Sequence, residues 1–478
     1  MSSSSPTVAS ALLGLKERLG ERILLEDEIR RQYRSDFGRM VDRLPGAIAR
    51  CASAEEVAEV VRYCRQNGLT VTPRGQAHSQ SGQATSAGGV LIDNSAMNKI
   101  HEISAAGLYA VADAGVVWRD LVAATVAQGL VPPVLTNNLG VSISGTLSVA
   151  GLGVASYRYG AQVDNVLEME VVTGTGEIVV CSREKNRDLF DVVRSGFGQF
   201  GIICKAKLKL RHCQPNVRMY HLLYDDLGAF MRDSEAVMRP GDERFHTLES
   251  RSAACPIFTR RIGEGMSLGV GQQLYAYWLY PMFLTVEYGP GENPDDRALL
   301  SGLNFYKHLR TEEYTQLDFC NRLVPVFDLW HRSGNWEMAH PWMETILPWD
   351  KAQEFIEYVQ GNLPPQALGP AGHVLVWPPA TGTADTPLFM HPPGDYVMGW
   401  GILPAVPQQY LEQALVQLDM ASELSLAYGA KRYLSGYITF DTVEKWAAHF
   451  GDKWPMILAA KKKFDPDRIL SPGFIQYP

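Results

Sequence analysis

The chain has 478 residues, with 44 Lys and Arg against 52 Asp and Glu, for a formal net charge of −8. That balance offers no field to phosphate backbones or anionic lipid, so neither nucleic-acid nor membrane partners are expected. A hydrophobic share of 46% beside a charged share of 20% excludes a disordered chain. At about 100–200 residues per domain, two or three domains are expected.

The opening segment, Met1 to Pro6, lacks the basic and long apolar regions of a secretory signal. Seven cysteines (Cys51, Cys64, Cys181, Cys204, Cys213, Cys255 and Cys320) form no CxxC pair and no Cys/His cluster. A reducing, cytoplasmic setting without disulfides or structural metal follows as the expectation. Tyr275–Val286, the most apolar stretch, is broken by Pro281 and too short to span a bilayer, so it reads as a buried strand.

In chain order, Ser53-Ala-Glu-Glu56 has the form of a capping box, and Val57, Val60, Val61 and Cys64 recur at helical spacing up to Gly68. Strands are expected at Leu69–Thr72 and Gly89–Asp93, and a second helix near Trp118–Gln128. Glu168–Thr173 and Glu177–Cys181 read as strands joined by a turn, Asp188–Arg194 as helix and Ile202–Leu210 as strand. After residue 213 come aromatic strands, Leu274–Leu279, Phe283–Tyr288 and Val374–Trp377, separated by long helical runs. A helix over Val443–Lys463 is expected near the end, with Lys461, Lys462 and Lys463 as its solvated terminus.

Glycine supplies 43 residues, above the ~7% of ordinary proteins, and it gathers in loops. Gly196-Phe-Gly-Gln-Phe-Gly201 spells GxGxxG, but a dinucleotide fingerprint follows a strand and opens a helix. Here the order is reversed, so a nicotinamide-binding unit is rejected. A stronger signal is Arg74, Gly75, Gln76, Ala77, His78 and Ser79, with Gly82 and Gln83 just beyond. A strand running into such a loop exposes backbone N–H groups to phosphate oxygens. A second small-residue stretch, Thr136–Gly153, also suits close approach of a large flat molecule.

Together these segments resemble the vanillyl-alcohol-oxidase family of flavoproteins, and most of all its cytokinin dehydrogenases. The family pattern Arg-Gly-x-x-His-Ser-x-x-Gly-Gln is met by Arg74, Gly75, His78, Ser79, Gly82 and Gln83. Ser144 to Gly151 meets Gly-Gly-Thr-Leu-Ser-x-Ala-Gly with one Gly replaced by Ser144. Asp164-Asn-Val166, Val172-Thr-Gly174, Gly176-Glu177, the Gly196–Ile203 stretch, His340-Pro-Trp342, Phe464-Asp-Pro466 and Leu470-Ser-Pro-Gly473 continue the match.

The resemblance implies an α+β fold. A PCMH-type FAD-binding domain takes residues 1–212, a substrate domain of antiparallel sheet and flanking helices residues 213–435, and a C-terminal segment, 436–478, completes the first. It implies FAD linked covalently through His78. Asn138 stands where some relatives carry a second, Cys-based link. Ser79, Gln83, Asn137, Ser142, Ser148, Leu152, Ile203, Tyr433 and Ser471 fall at cofactor-contacting positions, while Phe474 replaces the usual Gln after Ser-Pro-Gly. In that family an Asp accepts the substrate N–H and can take its proton, hydride passes to flavin N5, and the imine hydrolyses.

The matching residue here is Asn137, and an amide cannot act as a base near neutral pH. Glu249 falls near a family Glu, and is either the base or a solvent-facing carboxylate. His340, Trp342 and Trp377 either line the pocket or pack in the core. The expected function is an FAD-dependent oxidase or dehydrogenase taking hydride from a C–H beside amine nitrogen or alcohol oxygen in a small, aromatic or prenylated substrate. Oxygen or a quinone would reoxidise it. Rivals are an alcohol or sugar oxidase of the same fold and a flavin-bound lyase or isomerase without net redox turnover.

Overall fold

In a computed structural model, residues 7–255, 277–363, 367–379, 381 and 385–478 are described. The first sheet grows from the expected βαβ pattern. Strands β1 (Ile23–Leu24), β2 (Ala47–Arg50), β3 (Val71–Arg74) and β4 (Val90–Asp93) lie in the order β1-β2-β4-β3, with β2, β3 and β4 parallel. The helix Ala54–Gln66 crosses between β2 and β3 and buries Val57, Val60, Val61 and Cys64. Ser53 Oγ accepts the Glu56 N–H, and the Glu56 carboxylate reaches back to the Ala52 N–H at 2.7 Å. Strand β3 starts two residues later than expected and contains Pro73, which its place at the end of the sheet tolerates.

A second, antiparallel sheet follows, built from β5 (Ile100–Ser104), β6 (Tyr109–Asp113), β8 (Val166–Thr173), β9 (Ile178–Ser182) and β10 (Gly201–Lys209), in the order β5-β6-β10-β8-β9. A small pair joins β7 (Leu130–Val131) to β11 (Arg211–His212). The GxGxxG stretch is a turn from the helix Arg187–Val193 into β10, the reverse of a dinucleotide fingerprint.

The remaining strands are β12 (Asn216–Tyr224), β13 (Thr247–Cys255), β14 (Tyr277–Tyr288), β15 (Lys307–Thr315), β16 (Met343–Pro348), β17 (His373–Trp377), β18 (Val397–Leu403) and β19 (Lys431–Arg432). They form one antiparallel sheet in the order β15-β12-β14-β13-β17-β18-β16-β19. Helices Leu227–Met238, Trp349–Asn362 and Leu411–Ala427 pack over one face through Phe230, Phe355 and Leu418 against Tyr220, Trp400 and Met343. Ile346, Leu375 and Trp377 point the other way, onto the core of the first half. The cleft described below lies between this sheet and the first half.

Three expectations are corrected. The aromatic strands expected at Leu274–Leu279 and Phe283–Tyr288 are one strand, β14, running through Pro281; residues 274–276 lie outside the described residues. Pro281 opposes Leu223 on β12, and on the other side the recorded β13 pairing skips it, passing from Ser250↔Met282 to Ala253↔Leu279. The missing N–H is thus placed where that ladder is interrupted. The C-terminal helix is two, Val443–Phe450 and Trp454–Phe464, separated at Gly451, whose φ of 51° ends the first.

Lys461 is not solvated. It is buried and donates to Asp465 Oδ2 at 2.7 Å, to the Gln199 carbonyl at 2.9 Å and to the Leu470 carbonyl at 3.2 Å, while Lys462 and Lys463 face solvent. Asp465 also accepts the N–H groups of Ile469 and Leu470, the latter beside Val71 of β3. This ion pair locks the end of the chain under the first sheet. Asp465→Ala, which strands a buried ammonium, is expected to cost about 3–5 kcal/mol in urea unfolding; a loss below about 1 kcal/mol would show the pair to be dispensable.

Candidate active site

The three small-residue stretches converge. Residues of the 75–84 loop, of 136–152 and of 197–203 line one cleft, partly open to solvent and closed on the far side by β16, β17, β18 and the helix Val324–Arg332 (Val326, Phe327 and Trp330). Close packing explains the glycines. A Cβ on Gly75 would lie 2.0 Å from Ser142 Oγ, and one on Gly198, already at φ +68°, would meet Pro73 at 2.8 Å. Ala77, at φ 52°, takes the same left-handed conformation without being glycine, a strained backbone at the lip of the cleft.

Polar groups hold these loops. Arg74 donates to the carbonyls of Tyr33, Ser35 and Ala84. Ser79 Oγ and the Gly82 N–H both donate to Asp36, at 2.8 and 2.7 Å, and burial raises the Asp36 carboxyl to about 6. Gln83 donates to the carbonyls of Leu434 and Gly436, tying the loop to the chain beyond β19. Ser142 caps the short helix Ile143–Leu147, and Tyr433 Oη accepts the Gly151 N–H at 3.2 Å.

His78 stacks on Phe37 with ring centroids 4.1 Å apart, and its buried Nε2 has no hydrogen-bond partner. Burial lowers its imidazole to about 4, so the ring is neutral at physiological pH. A neutral, unpartnered ring nitrogen on a cleft-lining residue, beside Phe37, Trp336 and Trp342, fits the approach of a flat cofactor. Arg74, Gly75, Gln76, Ala77, His78, Ser79, Gln83, Ser142, Ser148, Leu152, Ile203 and Tyr433 all line this cleft. Ser471 does not; it lies behind the Gly198 turn, its carbonyl accepting from Gln199 and its buried Oγ unpartnered. Phe474 packs against Phe197 and Trp446.

Asn137 also lines the cleft, and its amide is engaged on both sides. Nδ2 donates to Glu249 Oε1 at 2.7 Å, and Oδ1 accepts from Arg322 at 2.9 Å. Arg322 also pairs with Glu249 Oε2 at 3.1 Å, with both side chains buried. Glu249 is therefore neither solvent-facing nor a wall of the cleft; Asn137 stands between them. Asn138 closes a turn through the Gly140 N–H. Of the three rings left open, Trp342 lines the cleft, Trp377 is core, and His340 is buried between Phe37 and Trp330 with its ring lowered to about 4 by burial.

Arg322, Glu344 and Phe37 had no motif to announce them. Glu344 alone left a trace, a carboxylate inside the apolar run Trp342–Leu347.

The fold and cleft define a PCMH-type, FAD-linked oxidoreductase. A family model described as "FAD binding domain" matches residues 45–182, and one described as "Cytokinin dehydrogenase 1, FAD and cytokinin binding" matches residues 278–476. The chain is 32% identical to an uncharacterised oxidoreductase of the fasciation locus of Rhodococcoides fascians, over 92% of this chain and 95% of that one. It is also 32% identical to cytokinin dehydrogenase 7 of Oryza sativa subsp. japonica, over 92% and 88%. Its fold matches 6-hydroxy-D-nicotine oxidase from Arthrobacter nicotinovorans with a TM-score of 0.70 at 22% identity, covering 94% and 96% of the two chains. The chain belongs to the cytokinin dehydrogenase family of FAD-dependent oxidoreductases.

His340 gives a stability signature. Its folded value of about 4 lies below the ordinary 6.5, so below pH 6.5 the unfolded chain binds the proton and the folded one does not. Stability is expected to fall by about 3 kcal/mol per such ring as pH drops from 6.5 to 4. Thermal unfolding across that range should be less pH-dependent in His340→Phe; an unchanged slope would contradict the assignment.

Proposed function

We propose that the chain oxidises a C–H bond beside an amine nitrogen or alcohol oxygen of a small aromatic or prenylated molecule, with FAD held covalently through His78 and oxygen or a quinone as final acceptor. The observation that carries this is the two-sided cleft. Polar, small-residue loops line one side, and the indole, phenyl and aliphatic groups of Trp330, Phe327, Val326, Leu375 and Leu403 line the other. An apolar wall of that kind excludes water from a bound ring and favours aromatic or prenyl groups over sugars. Bound FAD supplies a two-electron acceptor.

In this reading Asn137 orients the substrate. Arg322 and Glu249 fix the direction of its amide, leaving one N–H and one carbonyl lone pair for a substrate. It carries no exchangeable charge and leaves the proton to another group. No described helix is long and apolar enough to cross a membrane; Cys51, Cys64, Cys181, Cys204, Cys213 and Cys320 are free thiols, which suits a cytoplasmic setting.

Purified protein is expected to be yellow and to retain its flavin through acid precipitation, with His78→Ala releasing it; free flavin from the wild type would overturn the covalent link. Asn137→Asp places a second carboxylate beside Glu249 and Arg322. Because proton transfer belongs to another group in this reading, anaerobic flavin reduction by N6-isopentenyladenine should stay within about tenfold of the wild type; a gain of about 10²-fold or more would return the base to position 137.

A further inference from the structure

We infer that Glu344 is the residue that accepts the substrate's proton in this cleft, an assignment that rests on the oxidase reading above. Glu344 is the one carboxylate among the described residues lining the cleft. It lies on β16 opposite Gly401 of β18, which in turn opposes Leu375 of β17, so Glu344 and Leu375 share the face turned to the cofactor half. Gly401 makes room for it, since a Cβ there would come within 3.1 Å of Glu344 Cγ.

The carboxylate is 7% exposed, and its hydrogen bond comes from Ser435 Oγ to Oε2 at 2.9 Å. The charged and titratable groups that act on it are Arg432, on the neighbouring strand β19, and the phenol of Tyr433. A merely structural role, as counter-ion to buried Arg432, is poorly served by the geometry. Arg432 directs its donors to the Glu344 backbone carbonyl, to Ser422 Oγ and to the Tyr437 carbonyl, none to the carboxylate. Burial raises the Glu344 carboxyl to about 7, the range in which a base is both ionised and basic enough to work.

The step balances. The substrate N–H or O–H bond breaks, and the proton forms an O–H bond on Glu344. The electron pair left on nitrogen or oxygen becomes the new π bond to carbon as the neighbouring C–H leaves as hydride, with FAD as the two-electron oxidant. Apolar neighbours hold the carboxylate until the proton returns to solvent in the next turnover.

Two readouts on the flavin-loaded protein test this. Infrared difference titration of the wild type is expected to show a protonated-carboxyl band that titrates near neutral pH and is missing in Glu344→Gln. Anaerobic reduction by N6-isopentenyladenine or benzylamine should slow about 10²–10⁴-fold in Glu344→Gln, with the acidic limb of the rate–pH profile lost. Ser435→Ala, which removes the bond that favours the charged form, should move that limb to higher pH. A wild-type rate in Glu344→Gln, a slowed variant that keeps the limb, or an unmoved limb in Ser435→Ala would each overturn the assignment. Failure of both probes to reduce the wild-type flavin would instead count against the substrate reading on which it rests, and the proposal would fall with it.

Discussion

One buried cation joins the two halves of the molecule. Arg322 lies just ahead of the helix Val324–Arg332, and its guanidinium binds both Asn137 of the cofactor-side loop and Glu249 of β13. A carboxylate at residue 137 would stand where the amide now lies 2.7 Å from Glu249, with Arg322 against both. Two carboxylates so close cannot both ionise freely, and one proton would be held between them. An amide at 137 avoids that repulsion, and the same amide has no power to take a proton. Structure and chemistry are coupled at this point: what satisfies Arg322 and Glu249 also moves the base elsewhere.

Among the described residues, the one carboxylate on the cleft wall is Glu344. It comes from the eight-stranded sheet, across from the loops that carry His78 and Asn137. On the proposal above, the strand pairing Glu344↔Gly401 and the hydroxyl of Ser435 do what a carboxylate at 137 does in the family pattern: they hold a titratable oxygen on the cleft wall. The cost of burying that charge is offset by a single hydrogen bond and by Arg432 below, which leaves the group poised near neutrality rather than fixed in one state.

Much of this was legible in the sequence, for identifiable reasons. The capping box at Ser53, the helix after it and the strands around 166–210 follow from local periodicity, which the cores of the first half did not override. The loop residues Gly75 and Gly198 were readable because close backbone approach admits no Cβ, and His78 because it stands in a fixed motif. The reversed context of Gly196–Gly201 was equally clear. Pro281 misled, since a proline inside a central strand is acceptable only where the neighbouring ladder is interrupted, and register is not local information. Lys461 misled for the same reason: its partners Gln199 and Leu470 come from a distant turn and from beyond the helix. Arg322 has no sequence signature and Glu344 only the trace of a carboxylate in an apolar run, because their roles arise from strand order across the large sheet.

The central claim, that proton transfer does not belong to Asn137 and its partners, is tested most directly by the pH dependence of the limiting rate of anaerobic flavin reduction in Asn137→Ala. The account predicts weaker substrate binding, with the ionisation that governs the limiting rate kept where the wild type has it. Loss of that ionisation from the profile of Asn137→Ala would contradict the account and return the base to the Asn137–Glu249–Arg322 network.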